Sequence, residues 1–261
     1  MKNIQKISDA LPLSVKGVHG NYRILTISKK NGEFRNIYVT DKRINNILRG
    51  YLPLLEKKLK EIDIDNVNYA FVKGRNVALN AFTHIGYNYT LSLDIKNFFD
   101  SVRVRHVKSL LPKEVINDCF IDGAPRQGLP TSPLIANIAL SKFDKLIKKF
   151  LDNFNFEFHY TRYADDLIFS FNDRSCIGKI KTAVEKLLIT EGFFINKNKI
   201  KLQSVSNGRI VINGIAVDDE GLHATRKTKK KLRAALHQKN IKSFRGLHEW
   251  SLCKFPNKLV L

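Results

Sequence analysis

The sequence predicts an α+β fold built on an antiparallel sheet flanked by helices. Three observations predict it. Two β-rich stretches fold back on themselves across turn residues, helical stretches are mixed among them, and neither an internal repeat nor a low-complexity linker interrupts the series. The 261 residues suit one large domain or two intimate subdomains, and 43% hydrophobic residues allow a sizeable core.

Residues 22–39 read as a β-hairpin. Tyr22 to Ser28 alternates, Asn31-Gly32 is a type I′ turn signal, and Phe34 to Val39 returns. Residues 41–59 read as a helix, with Ile44, Ile47, Leu48, Tyr51 and Leu55 at helical spacing and Pro53 set to kink or split it. Tyr89 to Ile95 is a strand. Its apolar residues point one way, while Thr90, Ser92 and Asp94 point the other. Ser132-Pro133 supplies an N-cap and first helical position for a helix to about Phe150, with Ala136, Leu140, Phe143, Ile147 and Phe150 on one face. Phe156 to Tyr163 and Leu167 to Phe171 form a second hairpin with Ala164-Asp165-Asp166 at its tip. A helix over 177–191 ends near Gly192. Strands over 209–217 and 222–224 flank an acidic turn, and Thr225 to His237 is a basic helix.

Lys and Arg number 45 against 24 Asp and Glu, a net charge of +21. Phosphate neutralisation and counterion release reward that density, so nucleic acid is the leading partner class. A membrane surface, an acidic protein or a merely solvated basic surface are the alternatives on charge alone. The scattered Cys119, Cys176 and Cys253 form no CxxC pair, which fits free thiols in a reducing cytoplasm. No apolar run reaches the ~18 residues of a membrane span, and the first residues lack a signal-peptide core.

The acidic focus is small and specific. Asp165-Asp166 sits between apolar strands, and Asp94 ends another. Ordinary turn chemistry would explain an isolated Asp pair. Three carboxylates on neighbouring strands of a basic chain are instead a minimal frame for two Mg²⁺ ions clamping an in-line phosphoryl displacement. No zinc-spaced His or Cys cluster and no P-loop competes.

These residues resemble the reverse transcriptases, and within them the retron reverse transcriptases of bacteria. Tyr160 to Leu167 resembles the metal-binding hairpin of the polymerase palm, Leu93 to Phe99 the first palm motif, and Arg126 to Pro133 the motif beneath the incoming nucleotide. Asn80-Ala81-Phe82-Thr83-His84 fits the retron NAxxH pattern. Val211 to Gly214 falls where retron enzymes carry Val-Thr-Gly, with Asn213 as a departure.

The resemblance implies a right-hand polymerase fold, with fingers mainly in 1–88, palm in 89–224 with a fingers segment around 103–130, and a short basic thumb in 225–261. It implies that Asp94, Asp165 and Asp166, with the Ile95 carbonyl, hold two Mg²⁺ ions. Lys29 or Lys30 and Arg35 would grip the triphosphate, Phe99 would select the sugar (with one of Phe98 and Phe99 simply core), and Gln127 and Gly128 would lie against the nascent base pair. Asn80, His84, Tyr163, Arg226, Lys230, Arg233 and Arg245 would meet nucleic acid, and Lys199 would lie near the active site. The implied partners are a non-coding RNA serving as template and primer source, the DNA product, deoxynucleoside triphosphates and a separate effector protein in anti-phage defence. Group II intron-like and abortive-infection-type polymerases, or an inactive RNA-binding scaffold, remain open alternatives.

Overall fold

The computed structural model describes residues 22–28, 32–62, 67–154 and 156–255. Lys29, Lys30 and Asn31 lie outside the described residues. Strands β1 (Tyr22–Ser28) and β2 (Phe34–Thr40) form a two-stranded ribbon. Its register pairs Ser28 with Phe34, leaving an odd number of residues between them. The Asn31-Gly32 turn expected there includes Asn31, which lies outside the described residues.

The single helix expected over 41–59 is two, α1 (Lys42–Gly50) and α2 (Leu52–Ile62). Asp41 caps the first by accepting the Ile44 N–H at 2.8 Å. The break at Tyr51 puts Pro53 in the first turn of α2, where a missing N–H removes no helical bond. The Tyr51 hydroxyl donates to Asp118 at 2.6 Å, and that bond is the main reason its pKa is pushed up to about 12.

Helix α3 (Val77–Phe82) is capped by Asn76, and β3 (Tyr89–Asp94) follows it. Leu91 and Leu93 are buried as their alternation requires, but the opposite face is no solvent face: Thr90 and Asp94 are buried too. Protein covers that face, since the Thr90 hydroxyl bonds Ser170, which the buried His84 ring also bonds. Short helices α4 (Phe98–Ser101) and α5 (Lys113–Cys119) lead to the long α6 (Ser132–Asp152). Ser132 lies within α6 and does not cap it. Its hydroxyl donates to the Arg126 carbonyl at 2.8 Å, while the Thr131 carbonyl accepts the first helical bond, from Ile135. The inward face runs through Ala136, Leu140, Phe143 and Ile147 to Leu151. Phe150 is 41% exposed, because four residues, not three, complete the last step to the buried face.

Strands β4 (Phe158–Tyr163) and β5 (Asp166–Phe171) form the second hairpin. Helix α7 (Cys176–Glu191) stops at Gly192, whose φ of +83° suits a helix-ending glycine. After β6 (Lys201–Ser204), the strand expected over 209–217 is itself a hairpin of β7 (Ile210–Ile212) and β8 (Ile215–Asp218). Asn213 and Gly214, at φ +46° and +90°, form the two-residue turn between them, the geometry that favours Asn-Gly. Then come β9 (Gly221–Ala224), α8 (Arg226–His237) capped by Thr225, and α9 (Ile241–Ser251).

The described strand pairs are all antiparallel. The chain divides into two compact units. One holds the described residues of Met1–Asp65 with Lys96–Lys145 and Ile189–Phe193, and so contains the β1–β2 ribbon, α1, α2, α4 and α5. The other holds those of Asn66–Ile95, Leu146–Leu188 and Phe194–Leu261. In it a four-stranded sheet, β4-β5-β3-β6, accompanies a three-stranded sheet, β7-β8-β9. Ala78 and Ala81 of α3 pack with Ile168, Ile210, Ile212, Ile215 and Val217 in a core joining the two sheets. No described helix is long and apolar enough to cross a membrane.

Candidate active site

The ladder of the four-stranded sheet brings the three acids together. β3 and β5 run antiparallel with Asp94 directly opposite Asp166, so the two side chains share a face. Asp165 sits in the two-residue turn between Tyr163 and Asp166, and Asp166 therefore opens a strand rather than lying at the tip. Ala164 reaches φ +57°, which lets the chain reverse this tightly. Two bonds hold the turn: the Ile95 N–H donates to the Asp165 carbonyl at 2.9 Å, and the buried Arg162 guanidinium donates to the Ala164 carbonyl at 3.3 Å.

Directly opposed like charges destabilise a ladder, and here they are also partly desolvated. Burial, then the charges of Asp165 and Asp94, push Asp166 up to about 7, with Lys199 and a hydrogen bond from Asn213 offsetting part of the rise. Asp165 is raised as well, by burial first and then by Asp94. The Lys199 ammonium meets Asp94 at 2.6 Å. It stands on the short 3₁₀ turn Lys197–Lys199, which is tied to β3 by the Asn196 N–H donating to the Asp94 carbonyl at 2.7 Å. One ammonium against three carboxylates leaves the cluster short of positive charge. Crowded carboxylates with raised pKa values are a donor set that fits hard divalent cations.

Asn213 is the residue sequence reasoning underrated. Its side-chain nitrogen donates to Asp166 at 2.8 Å, and its oxygen accepts from Asn80 at 2.8 Å. The available signal was Asn-Gly between two β-branched runs, which marks a hairpin turn at 213–214. Asn80 and His84 are both buried, so their side chains face protein. One ring nitrogen of His84 bonds the Ser170 hydroxyl at 2.8 Å and the other bonds Thr161 at 2.6 Å; Ser170 also bonds Thr90 at 2.8 Å. The ring thus links the three strands behind the acids. Burial, with His159 alongside, lowers its pKa well below the usual value and keeps it neutral. His84→Ala opens a cavity and removes one bond each from the Thr161 and Ser170 hydroxyls, Ser170 keeping Thr90. It is expected to lower stability by on the order of 2–4 kcal/mol. A urea unfolding midpoint matching the unaltered protein would show that the ring is dispensable.

The remaining expected site residues fall as follows. Phe98 is buried and Phe99 half-buried beside it, rings 5.2 Å apart, so Phe98 is the core member of the pair. Arg35 is exposed on β2. The Gln127 carbonyl accepts the Tyr38 N–H at 2.7 Å, and the next residue, Gly128, presses on β2 at φ +110°. The tight approach at Gly128 is to the Tyr38 backbone of its own unit. Tyr163 is half-buried at the end of β4. Arg226, Lys230 and Arg233 are exposed along one face of α8, and Arg245 is exposed on α9. Lys29 lies outside the described residues. A separate surface trio, Asp218, Glu220 and His223, has ligand atoms within 4.8 Å of one another, but Asp218 is already engaged by Arg209 and His223.

The family model for reverse transcriptase (RNA-dependent DNA polymerase) matches residues 27–242. Retron Ec73 reverse transcriptase of Escherichia coli is 32% identical over 244 residues, 82% of this chain and 75% of that protein. Retron Mx65 reverse transcriptase of Myxococcus xanthus is 29% identical over 84% of this chain. The chain spans 56% of that protein's length. Among solved structures, apo telomerase from Candida tropicalis superposes with a TM-score of 0.59 at 14% identity, over 85% of this chain and 51% of its own. The foamy viral protease-reverse transcriptase in complex with double-stranded DNA gives 0.52 at 18% identity, over 91% of this chain and 44% of its own. At those identities the likeness speaks to fold alone, and the fold is the right-hand polymerase fold expected above. With most of its length matched by the family model and retron enzymes among its relatives, the chain belongs to the reverse transcriptase family.

Proposed function

We propose that this chain is an RNA-directed DNA polymerase of retron type, copying a partner non-coding RNA into single-stranded DNA, in a system directed against phage. The observation that carries the reading is the convergence of Asp94, Asp165 and Asp166 across the β3–β5 ladder in a chain of net charge +21. A divalent metal is the general requirement of the family. We assign two Mg²⁺ ions to these carboxylates with the Ile95 carbonyl, supplying activation of the primer hydroxyl and neutralisation of the leaving pyrophosphate. Lys199 then has two tasks. It balances Asp94 in the metal-free protein, and it yields that carboxylate when the site loads.

In the same reading Arg35 and Lys29 steady the triphosphate, Phe99 restricts the sugar, and Gln127 and Gly128 shape the floor under the base pair. Tyr163 supports the primer end. Arg226, Lys230, Arg233 and Arg245 track the duplex backbone as a short thumb over 225–261, beside a palm over 89–224 and fingers over 1–88 with the segment 103–130. The exposed, unbroken basic face of α8 supports that thumb assignment.

Primer extension with Mg²⁺ and deoxynucleotides on an RNA template tests the reading. Template-directed DNA product is expected. RNA binding without incorporation would point to a scaffold, and product that ignores template sequence to an untemplated polymerase. Metal binding has a second readout. Protons on Asp166 compete with metal below its pKa of about 7. Mg²⁺ is therefore expected to raise the thermal midpoint more at ~pH 8 than at ~pH 6, and equal increments would speak against carboxylate ligation.

A further inference from the structure

We propose that Asn213, oriented by Asn80, is a positioning residue for Asp166, an assignment that rests on the polymerase reading and deepens it. The direction of the bonds follows from elementary chemistry. An ionised carboxylate only accepts, so Asn213 must turn its nitrogen toward Asp166 and its oxygen away. That oxygen receives the Asn80 side-chain nitrogen, at 2.8 Å, as Asp166 receives Asn213 at 2.8 Å. Asn80 therefore settles which way the Asn213 amide faces, and Asn213 settles which way the carboxylate faces.

Each link is mechanically held. Asn213 stands in a two-residue turn with Gly214, clamped by the Ile212–Ile215 pair. The Trp250 ring of α9 lies over Gly214, 3.6 Å from where a side chain would begin. Asn80 is wholly buried in α3, between a capped first turn and the core. Packing alone already joins α3 to this hairpin, through Ala78 and Ala81 against Ile210, Ile212, Ile215 and Val217. A buried amide adds desolvation cost to that apolar contact. Among the described residues its side-chain nitrogen donates to Asn213 while its buried oxygen has no hydrogen-bond partner, so the amide serves the carboxylate at the end of the chain rather than the packing. Residues hydrogen-bonded to metal-binding carboxylates preorient them, and removing one commonly costs 10–100-fold in metal affinity or activity.

The test uses the full chain with Asn213→Gly, Asn80→Ala and the double variant. Gly-Gly keeps the two-residue turn while removing the bridging amide. Each single variant is expected to lower kcat for templated incorporation about tenfold, with a smaller change in the deoxynucleotide KM. Each is also expected to weaken Mg²⁺ binding, read by calorimetry without nucleic acid, by a similar factor. The double variant is expected to be no worse than Asn213→Gly, because Asn80 works through Asn213. Wild-type Mg²⁺ affinity in Asn213→Gly, or losses that multiply in the double variant, would overturn the proposal. Should circular dichroism show Asn213→Gly unfolded, Asn213→Asp keeps an Asx-Gly turn but faces Asp166 with a second carboxylate. A lowered kcat there supports the proposal and a wild-type kcat overturns it. If the unaltered chain copies no template, the polymerase reading fails, and the Mg²⁺ calorimetry alone decides on Asn213.

Discussion

Asp165→Asn and Asp166→Asn are each expected to abolish templated incorporation, by on the order of 10³-fold or more, while leaving a folded protein that melts higher than the unaltered chain at ~pH 8 without metal. The two halves have one cause. Proposed metal ligation needs every negative charge the site can assemble, and the metal-free fold is strained by those same charges. The sign follows from linkage. Asp166 is pushed up to about 7 by burial and by its acidic neighbours, above its ordinary value of 3.8. Between those two values the folded chain keeps a proton that the unfolded chain gives up. The stability tied to that proton is full below the unfolded value and is lost as pH rises through 7. An amide at 166 carries no charge to repel. Thermal melts at ~pH 8 in chelator, beside primer extension in Mg²⁺, separate the two effects. An inactive variant that also melts lower would mean that the acids support the fold directly.

The second large effect concerns a glycine. Gly128→Ala would place a Cβ 2.8 Å from the Ile37 Cγ2, closer still to the Tyr38 carbonyl, and would do so at φ +110°. The obstacle is strand backbone, which cannot swing aside as a side-chain end could. Overpacking and the left-handed conformation act together, and a loss of roughly 3 kcal/mol or more is expected. The 126–132 loop would lift from β2, breaking the bond from Tyr38 to the Gln127 carbonyl. Denaturant unfolding checks the loss, and a midpoint shift equivalent to less than ~1 kcal/mol would show that the loop relaxes freely. Gly128 thus has a structural reason to be glycine besides any closeness to a base pair.

The segments that were legible in the sequence are those where local chemistry and packing agree. The strand ending at Asp94 and the hairpin around Ala164-Asp165 alternate in residue type, and the reversal is tight enough to read without a structure. Helix α7 and its Gly192 stop were equally readable. The errors arose where one signal stood alone. Asn213-Gly214 is a two-residue turn inside the strand expected over 209–217, where β propensity was followed alone and the Asn-Gly signal passed over.

By itself the sequence determined the chemistry on offer: three acids at strand ends, a dense positive charge, and motifs in polymerase order. Those are properties of residue type and spacing, which no fold can alter. Only the tertiary structure decided the partners of each acid. Sheet order set Asp94 against Asp166, the turn after Asn196 delivered Lys199 to Asp94, and a hairpin from far along the chain brought Asn213 to Asp166. These contacts join residues remote in sequence, so no local pattern encodes them. The same Asp165-Asp166 pair is an ordinary turn in isolation, and becomes a candidate metal site through the neighbours that folding brings to it.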